Sequence, residues 1–154
     1  MWLSLISAVT GAVIATASGA FLDHRRWRRD QVRHLTDTRR VLYGEYLASL
    51  SAARNHFRSL ARDRDAAPKD RAASARTSFA PCYEGRYQIA ITASTKVVAA
   101  SEETFKRLRD VRDATGAGAR PEDDSYAEGR REYESSLARL RKEMRDELGS
   151  DHAS

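Results

Sequence analysis

The sequence predicts an all-α protein: an N-terminal transmembrane helix that continues into a cytoplasmic antiparallel three- to four-helix bundle. Three observations predict it. Residues Met1 to Leu22 carry no charged side chain, and Arg25, Arg26, Arg28, Arg29 and Arg33 follow within a few positions. Beyond that junction apolar residues recur every third or fourth position, the period of a helix with one buried face. The one β-branched patch, 89–98, holds too many alanines and small polar residues to read as a strand.

The first element is the anchor, residues 1–22. A bilayer core of roughly 30 Å is crossed by about 20 helical residues. Leu3, Leu5, Ile6, Val9, Val13, Ile14, Phe21 and Leu22 supply about −2 to −5 kcal/mol of insertion free energy, part of which Ser, Thr and Gly return. Ser7, Gly11, Ala15 and Gly19 recur every fourth position and so share one stripe of the helix. Small residues in a stripe let two transmembrane backbones approach closely, which predicts packing against a second copy or another membrane protein. The bland alternative is an alanine-rich anchor with no partner in the membrane. Arginines crowd only the C-terminal flank, so the N-terminus is expected outside and residues 23–154 inside. Trp2 and Trp27 flank the span at interfacial positions. Two rivals remain: a cleaved signal peptide, for which Ala15-Thr16-Ala17 and Ser18-Gly19-Ala20 offer cleavage patterns, and a soluble protein with a buried first helix. A signal peptide carries its positive charges before the apolar stretch, whereas here they come after it.

The second element is a basic juxtamembrane segment, 23–40. It holds seven arginines against three aspartates, a local balance of +4 within a chain of net charge +5. The remainder is nearly neutral with interspersed signs, a pattern that fits a membrane-proximal collar better than a dedicated nucleic-acid surface. Arg25, Arg26, Arg28, Arg29 and Arg33 are the candidate contacts to anionic lipid, at about 1 kcal/mol each near the surface. Contact with nucleic-acid phosphate is the weaker alternative, because Asp23, Asp30 and Asp37 interrupt the run.

The bundle follows, over 41–149. Its first helix carries Leu35, Leu42, Tyr46, Leu50, Ala53, Phe57 and Leu60 on one face and is expected to end near Asp65, with Pro68 blocking continuation. The second starts at Pro68 or Lys69 and carries Ala72, Ala75, Phe79, Cys82, Tyr83, Tyr87 and Ile91; Pro81 inside it is expected to kink or split the run. Ser94 or Thr95 caps a third helix with Val97, Val98, Phe105, Leu108 and Val111 inward. Gly116, Gly118 and Pro121 mark the clearest loop. Ser125 with Glu128 reads as a capping box for the last helix, where Tyr126, Tyr133, Leu137, Leu140, Met144 and Leu148 stand at near-heptad spacing and Gly149 is a natural C-cap. Residues 150–154 form a disordered tail.

The residues of chemistry are sparse. Lone Cys82, between Pro81 and Tyr83, reads as a half-buried structural thiol and excludes a disulfide framework. His24, His34, His56 and His152 show no metal-ligand spacing. Glu102, Glu103, Asp123 and Asp124 fall at expected helix starts, where the helix dipole favours negative charge. The tyrosines Tyr43, Tyr46, Tyr83, Tyr87, Tyr126 and Tyr133 are expected to rim the core with rings inward and hydroxyls outward. No phosphate-binding glycine loop or nucleophile elbow is present. The expectation is a non-enzyme with no catalytic residue, no metal and no cofactor.

Three stretches carry a resemblance. They are Arg25-Arg26-Trp27-Arg28-Arg29, the run Arg39-Arg40-Val41-Leu42-Tyr43-Gly44-Glu45-Tyr46-Leu47, and Arg145-Asp146-Glu147-Leu148-Gly149. With the span of small residues, their order resembles a group of small actinobacterial membrane-anchored helical proteins that includes the KilB-like plasmid-spread proteins of Streptomyces mobile elements. The resemblance implies a single-pass protein of the bacterial inner membrane that is accessory to conjugative plasmid transfer or spread, and it carries over no functional residue. The function expected is that of a membrane-anchored interaction or adaptor protein, working with a protein partner or a second copy through the transmembrane helix. The alternative is direct nucleic-acid or anionic-lipid binding through the basic juxtamembrane segment.

Overall fold

The computed structural model describes residues 34–150; the predicted anchor, the collar through Arg33 and the last four residues lie outside the described residues. The chain divides into a unit that ends at Asp37 and a second from Thr38 onward, and the bundle is the second. Its helices are α1 (helical over 34–62), α2 (Pro68–Phe79), α3 (Pro81–Thr92), α4 (Thr95–Gly116) and α5 (Asp124–Ser150). No strand occurs among the described residues, and no described helix is long and apolar enough to cross a membrane.

The second predicted helix is split into α2 and α3, and Pro81 is the reason. Proline has no N–H to offer the carbonyl four residues back, here Thr77. The Ala80 N–H takes that carbonyl instead at 3.2 Å, and the Tyr83 N–H reaches Ala80 O at 3.1 Å. Ala80 itself keeps right-handed helical dihedrals (φ −53°, ψ −42°). One turn of tighter bonding therefore joins two helices with no loop between them, and the four-helix layout survives.

Pairs of touching residues give the helix directions. Tyr46 meets Gly85 and His56 meets Ser74, so α1 opposes α2 and α3. Phe79 meets Phe105 and Ala72 meets Gly116, so α2 opposes α4. Arg107 meets Glu132 and Ser94 meets Glu147, so α4 opposes α5. The chain thus runs up, down, up and down, which short connections favour.

The core comes from one stripe per helix. α1 gives Tyr43, Tyr46, Leu50, Ala53, Phe57 and Ala61; α4 gives Val97, Ala100, Phe105, Leu108 and Val111; α5 gives Tyr126, Tyr133, Leu137, Leu140 and Met144. Ala75, Phe79, Cys82 and Ile89 close the fourth side. Phe57, Phe79, Tyr83 and Phe105 form its aromatic centre, with ring centroids 4.8–6.4 Å apart.

Several expectations are corrected. Leu35 is exposed and Leu42 half-buried, because Tyr43 holds the inward position on α1. On α3 the buried residues are Cys82 and Ile89, Tyr87 and Ile91 face outward, and Tyr83 lays its ring on Phe79 and Phe105 while remaining part-exposed. Cys82 is wholly buried rather than half-buried. Tyr46 and Tyr133 are enclosed with their hydroxyls, near Ser101 and Leu50 O respectively. At the start of α5 the Ala127 N–H bonds Asp123 O, and Asp123 Oδ2 accepts the Arg120 N–H at 2.7 Å. Asp123 therefore holds the N-cap position through its backbone carbonyl, with its side chain turned back to Arg120, and Ser125 lies inside the first turn. At the other end α5 runs through Gly149 to Ser150.

The α4–α5 turn uses a glycine where one is needed. Gly118 has φ +98°, its N–H bonds Thr115 O, and the Ala119 N–H bonds Ala114 O. That pair of bonds is the Schellman arrangement, which requires a left-handed residue at this position.

Candidate functional site

The sequence-predicted site residues Ser7, Gly11, Ala15, Gly19, Arg25, Arg26, Arg28, Arg29 and Arg33 all lie outside the described residues. Within the bundle, polar chemistry concentrates at its two ends.

At the end where Thr38 enters, Glu147 is the hub. Its Oε2 accepts the Tyr43 hydroxyl at 2.7 Å and the Ser94 hydroxyl at 3.2 Å. Its Oε1 accepts the Ser94 N–H at 3.0 Å and faces Arg39 Nη1 at 3.2 Å. Arg39 also gives its Nε proton to Thr92 O at 2.9 Å. One carboxylate therefore ties α1, the α3–α4 junction and α5 together. Ser94 sits at the N-cap position of α4 as expected, but its hydroxyl turns to Glu147 instead of its own helix. Only 8% of the Glu147 side chain is exposed. A carboxylate in the last turn of a helix opposes that helix's dipole, whereas the N-terminus of α4 favours it. That local misfit was the one sequence signal that could have singled Glu147 out.

At the opposite end two arginines hold the C-terminus of α1. Arg71 Nη2 donates to Asp63 O at 2.8 Å and Ala66 O at 3.2 Å. Arg120 Nη1 donates to the same Asp63 O at 2.7 Å and reaches Ala61 O at 3.4 Å. Cations at a helix C-terminus satisfy its orphan carbonyls and its negative dipole end. Arg71 is buried on the stripe Arg71–Ala75–Phe79, and an arginine in an apolar stripe was its overlooked signal.

Between the ends lies a polar seam. Ser101 Oγ donates to the Tyr46 hydroxyl at 3.1 Å, and burial pushes that phenol up from 10.0 to about 12. Burial also pushes the Cys82 thiol up from 9.0 to about 11 against a bond with Ser49. A thiolate is the reactive form, so an enclosed thiol held protonated acts as a packing group. Among the described residues no group of three or more His, Cys, Asp or Glu could hold a metal.

Two surface features remain. Between α1 and α5, Arg40, Arg141 and Arg145 border a groove floored by Gly44, Leu47, Met144 and Leu148. On α3, Tyr83, Tyr87 and Ile91 stand four residues apart, with Tyr87 61% and Ile91 85% exposed. Arg86 lies beside them, its guanidinium carbon 4.8 Å from the Phe105 centroid and 5.6 Å from that of Tyr87. No family model, curated protein or solved structure matches the chain.

Proposed function

We propose that this is a non-catalytic, single-pass protein of the bacterial inner membrane whose cytoplasmic helical bundle recruits a protein partner or a second copy, as an accessory of conjugative plasmid transfer or spread. The observation that carries the reading is the junction of 22 uncharged residues with an arginine collar. A charge-free stretch of that length fits a bilayer, and the collar sets its orientation with the bundle inside. The bundle adds support of a different kind. The polar clusters at its two ends, around Glu147 and around Asp63 O, tie helices together, which is a packing role.

A second reading has its own observation. Arg40, Arg141 and Arg145 border the α1–α5 groove, three cations on one face of the bundle, which favours direct contact with anionic lipid or nucleic acid. Affinity for duplex DNA that falls steeply with salt supports it; no binding by the full chain at low salt removes its nucleic-acid half.

The test of the first reading is in-cell crosslinking of a C-terminally tagged chain, with purification from detergent-solubilised membranes and mass spectrometry. Recovery of an intact N-terminus together with a DNA-translocation or cell-envelope protein supports it. Recovery from the soluble fraction alone overturns it.

A further inference from the structure

We propose that the α1–α5 seam of the bundle is a docking face for the phosphate backbone of duplex nucleic acid, held by Arg40, Arg54, Arg58 and Arg62 on α1 and by Arg130, Arg141 and Arg145 on α5. The inference rests on the second reading above and names its anion.

The bundle's charges are interspersed along the sequence, and the fold sorts them. At about 100° per residue the four α1 arginines fall within about 40° of one line along their helix, and the three α5 arginines do the same on theirs. The two lines share one face. Arg40, Arg141 and Arg145 border the same groove. Arg54 and Arg141 both act on the Tyr133 hydroxyl, and Arg54, Arg58, Arg62 and Arg130 act on that of Tyr126. Asn55 and Ser59 add neutral donors beside Arg58 and Arg62. From Thr38 onward, Glu134 is the one carboxylate of α1 or α5 within about 60° of either line, and it lies 3.8 Å from Arg130. Seven arginines against one carboxylate is a larger excess than the +5 of the whole chain.

Length and surroundings select the occupant. From Arg40 to Arg62 the seam runs about 33 Å at about 1.5 Å per residue, close to the roughly 34 Å of one duplex turn. Guanidinium forks grip phosphate oxygens in pairs, and a row of them matches a row of phosphates. A single strand would need exposed rings for its bases to stack on. The aromatic residues at this seam, Tyr43, Tyr126 and Tyr133, are buried. A bilayer surface or an apolar-anchored protein partner would need exposed apolar side chains among the cations. Leu47 and Leu148 are half-buried in the groove, and the bundle's exposed large apolar residues lie off the seam, Val41 about 100° round α1 from Arg40 and the others on α3.

The test is fluorescence anisotropy of a labelled DNA duplex of about 20 base pairs, titrated with the full chain in neutral detergent from about 50 to 200 mM salt. With about four to six phosphates held, the seam contributes a slope of about −4 to −5 to log affinity against log salt, a loss of roughly 10²–10³-fold over that range. Arg58→Gln, Arg62→Gln and Arg141→Gln, all at exposed positions, together reduce the slope by about 3. Arg76→Gln with Arg109→Gln, exposed on α2 and α4, leaves it unchanged. Arg58→Lys with Arg141→Lys keeps the slope, which separates lost charge from lost fold. A triple glutamine variant that binds the duplex with the parent's slope overturns the proposal, and so does tighter binding of a single strand of the same length. Micelles doped with phosphatidylglycerol supply the second arm. If the triple variant loses these micelles and keeps the duplex, the second reading stands on lipid and the duplex proposal falls. If it loses neither, both fall.

Discussion

The Tyr43 hydroxyl reaches Glu147 Oε2 across 2.7 Å, between residues 104 positions apart. This bond joins the first helix of the bundle to the last. It also brings together two separated stretches of the sequence, 39–47 and 145–149, whose Arg39, Tyr43 and Glu147 form one hub. Those stretches are thus explained by packing at one end of the bundle. Glu147→Ala removes the carboxylate that Arg39, Tyr43 and Ser94 share, and is expected to lower stability by about 2–4 kcal/mol. Glu147→Gln keeps an acceptor and loses the charge, so its cost is about half. Thermal unfolding of the purified chain, followed by circular dichroism, separates the two; equal melting temperatures for both variants and the parent would remove Glu147 as the hub.

Gly85 and Gly44 are predicted to respond to alanine with opposite signs. A Cβ on Gly85 lies 2.6 Å from Tyr46 Cδ2 and 3.3 Å from Tyr46 Cβ, and that ring is enclosed in the core. Overpacking of this kind costs about 1–3 kcal/mol, more than the roughly 1 kcal/mol of helix propensity that alanine returns. A Cβ on Gly44 meets nothing within 4 Å. Gly44→Ala therefore gains about 0.5–1 kcal/mol. Urea midpoints of the two variants check the pair, and a stabilised Gly85→Ala contradicts the close approach of α3 to α1.

The same Gly85 shows where the sequence stops being legible. Apolar spacing, with glycine, proline and cap residues as punctuation, identified the helices of the bundle, the turn marked by Gly116, Gly118 and Pro121, and most of the α4 and α5 stripes. It could not choose the face of α3, because Cys82 and Tyr83 are equally good continuations of Ala75 and Phe79, and the helix is apolar on two sides. What decides is the Tyr46 ring, which needs the glycine side of α3 against it, and Tyr46 comes from a helix 39 positions earlier in the chain. The cap of α5 was ambiguous for a similar reason. Asp123, Asp124 and Ser125 are three successive cap formers, and the Arg120 N–H selects the first. Glu147 and Arg71 left only faint local signals, a carboxylate in a last helical turn and an arginine in an apolar stripe, because their partners are distant residues or backbone carbonyls.

Alkaline pH is expected to destabilise the bundle. Burial holds the Cys82 thiol at about 11 instead of 9.0 and the Tyr46 phenol at about 12 instead of 10.0. Tyr126 and Tyr133 are raised by burial as well. In the unfolded chain these groups release protons at their ordinary values, so above pH 9 the unfolded state binds fewer protons than the folded one. Stability is complete below that point and falls as pH rises through 11 to 12. Urea midpoints measured from pH 8 to 11.5 should therefore decline, and Tyr46→Phe should flatten the limb above pH 10 while losing some stability at neutral pH. A midpoint that holds level to pH 11 contradicts this account.

Arg71 and Arg120 should prove coupled, because both donate to Asp63 O, at 2.8 Å and 2.7 Å. Either one alone leaves that carbonyl satisfied. Arg71 is buried and also holds Ala66 O, so Arg71→Met is expected to cost about 1.5–3 kcal/mol. Arg120 reaches its carbonyls from an exposed loop, and Arg120→Ala is expected to cost about 0.5–1 kcal/mol. With both gone, the last carbonyls of α1 lose both guanidinium donors in a partly buried site. The loss in the double variant should then exceed the sum of the single losses by about 0.5–1 kcal/mol, the size of coupling seen for residues that share a partner. A double-mutant cycle on urea unfolding measures that difference directly. Strict additivity would mean that the two guanidinium groups act on separate parts of the turn, and that α1 is held at this end by Arg71 through Ala66 O instead.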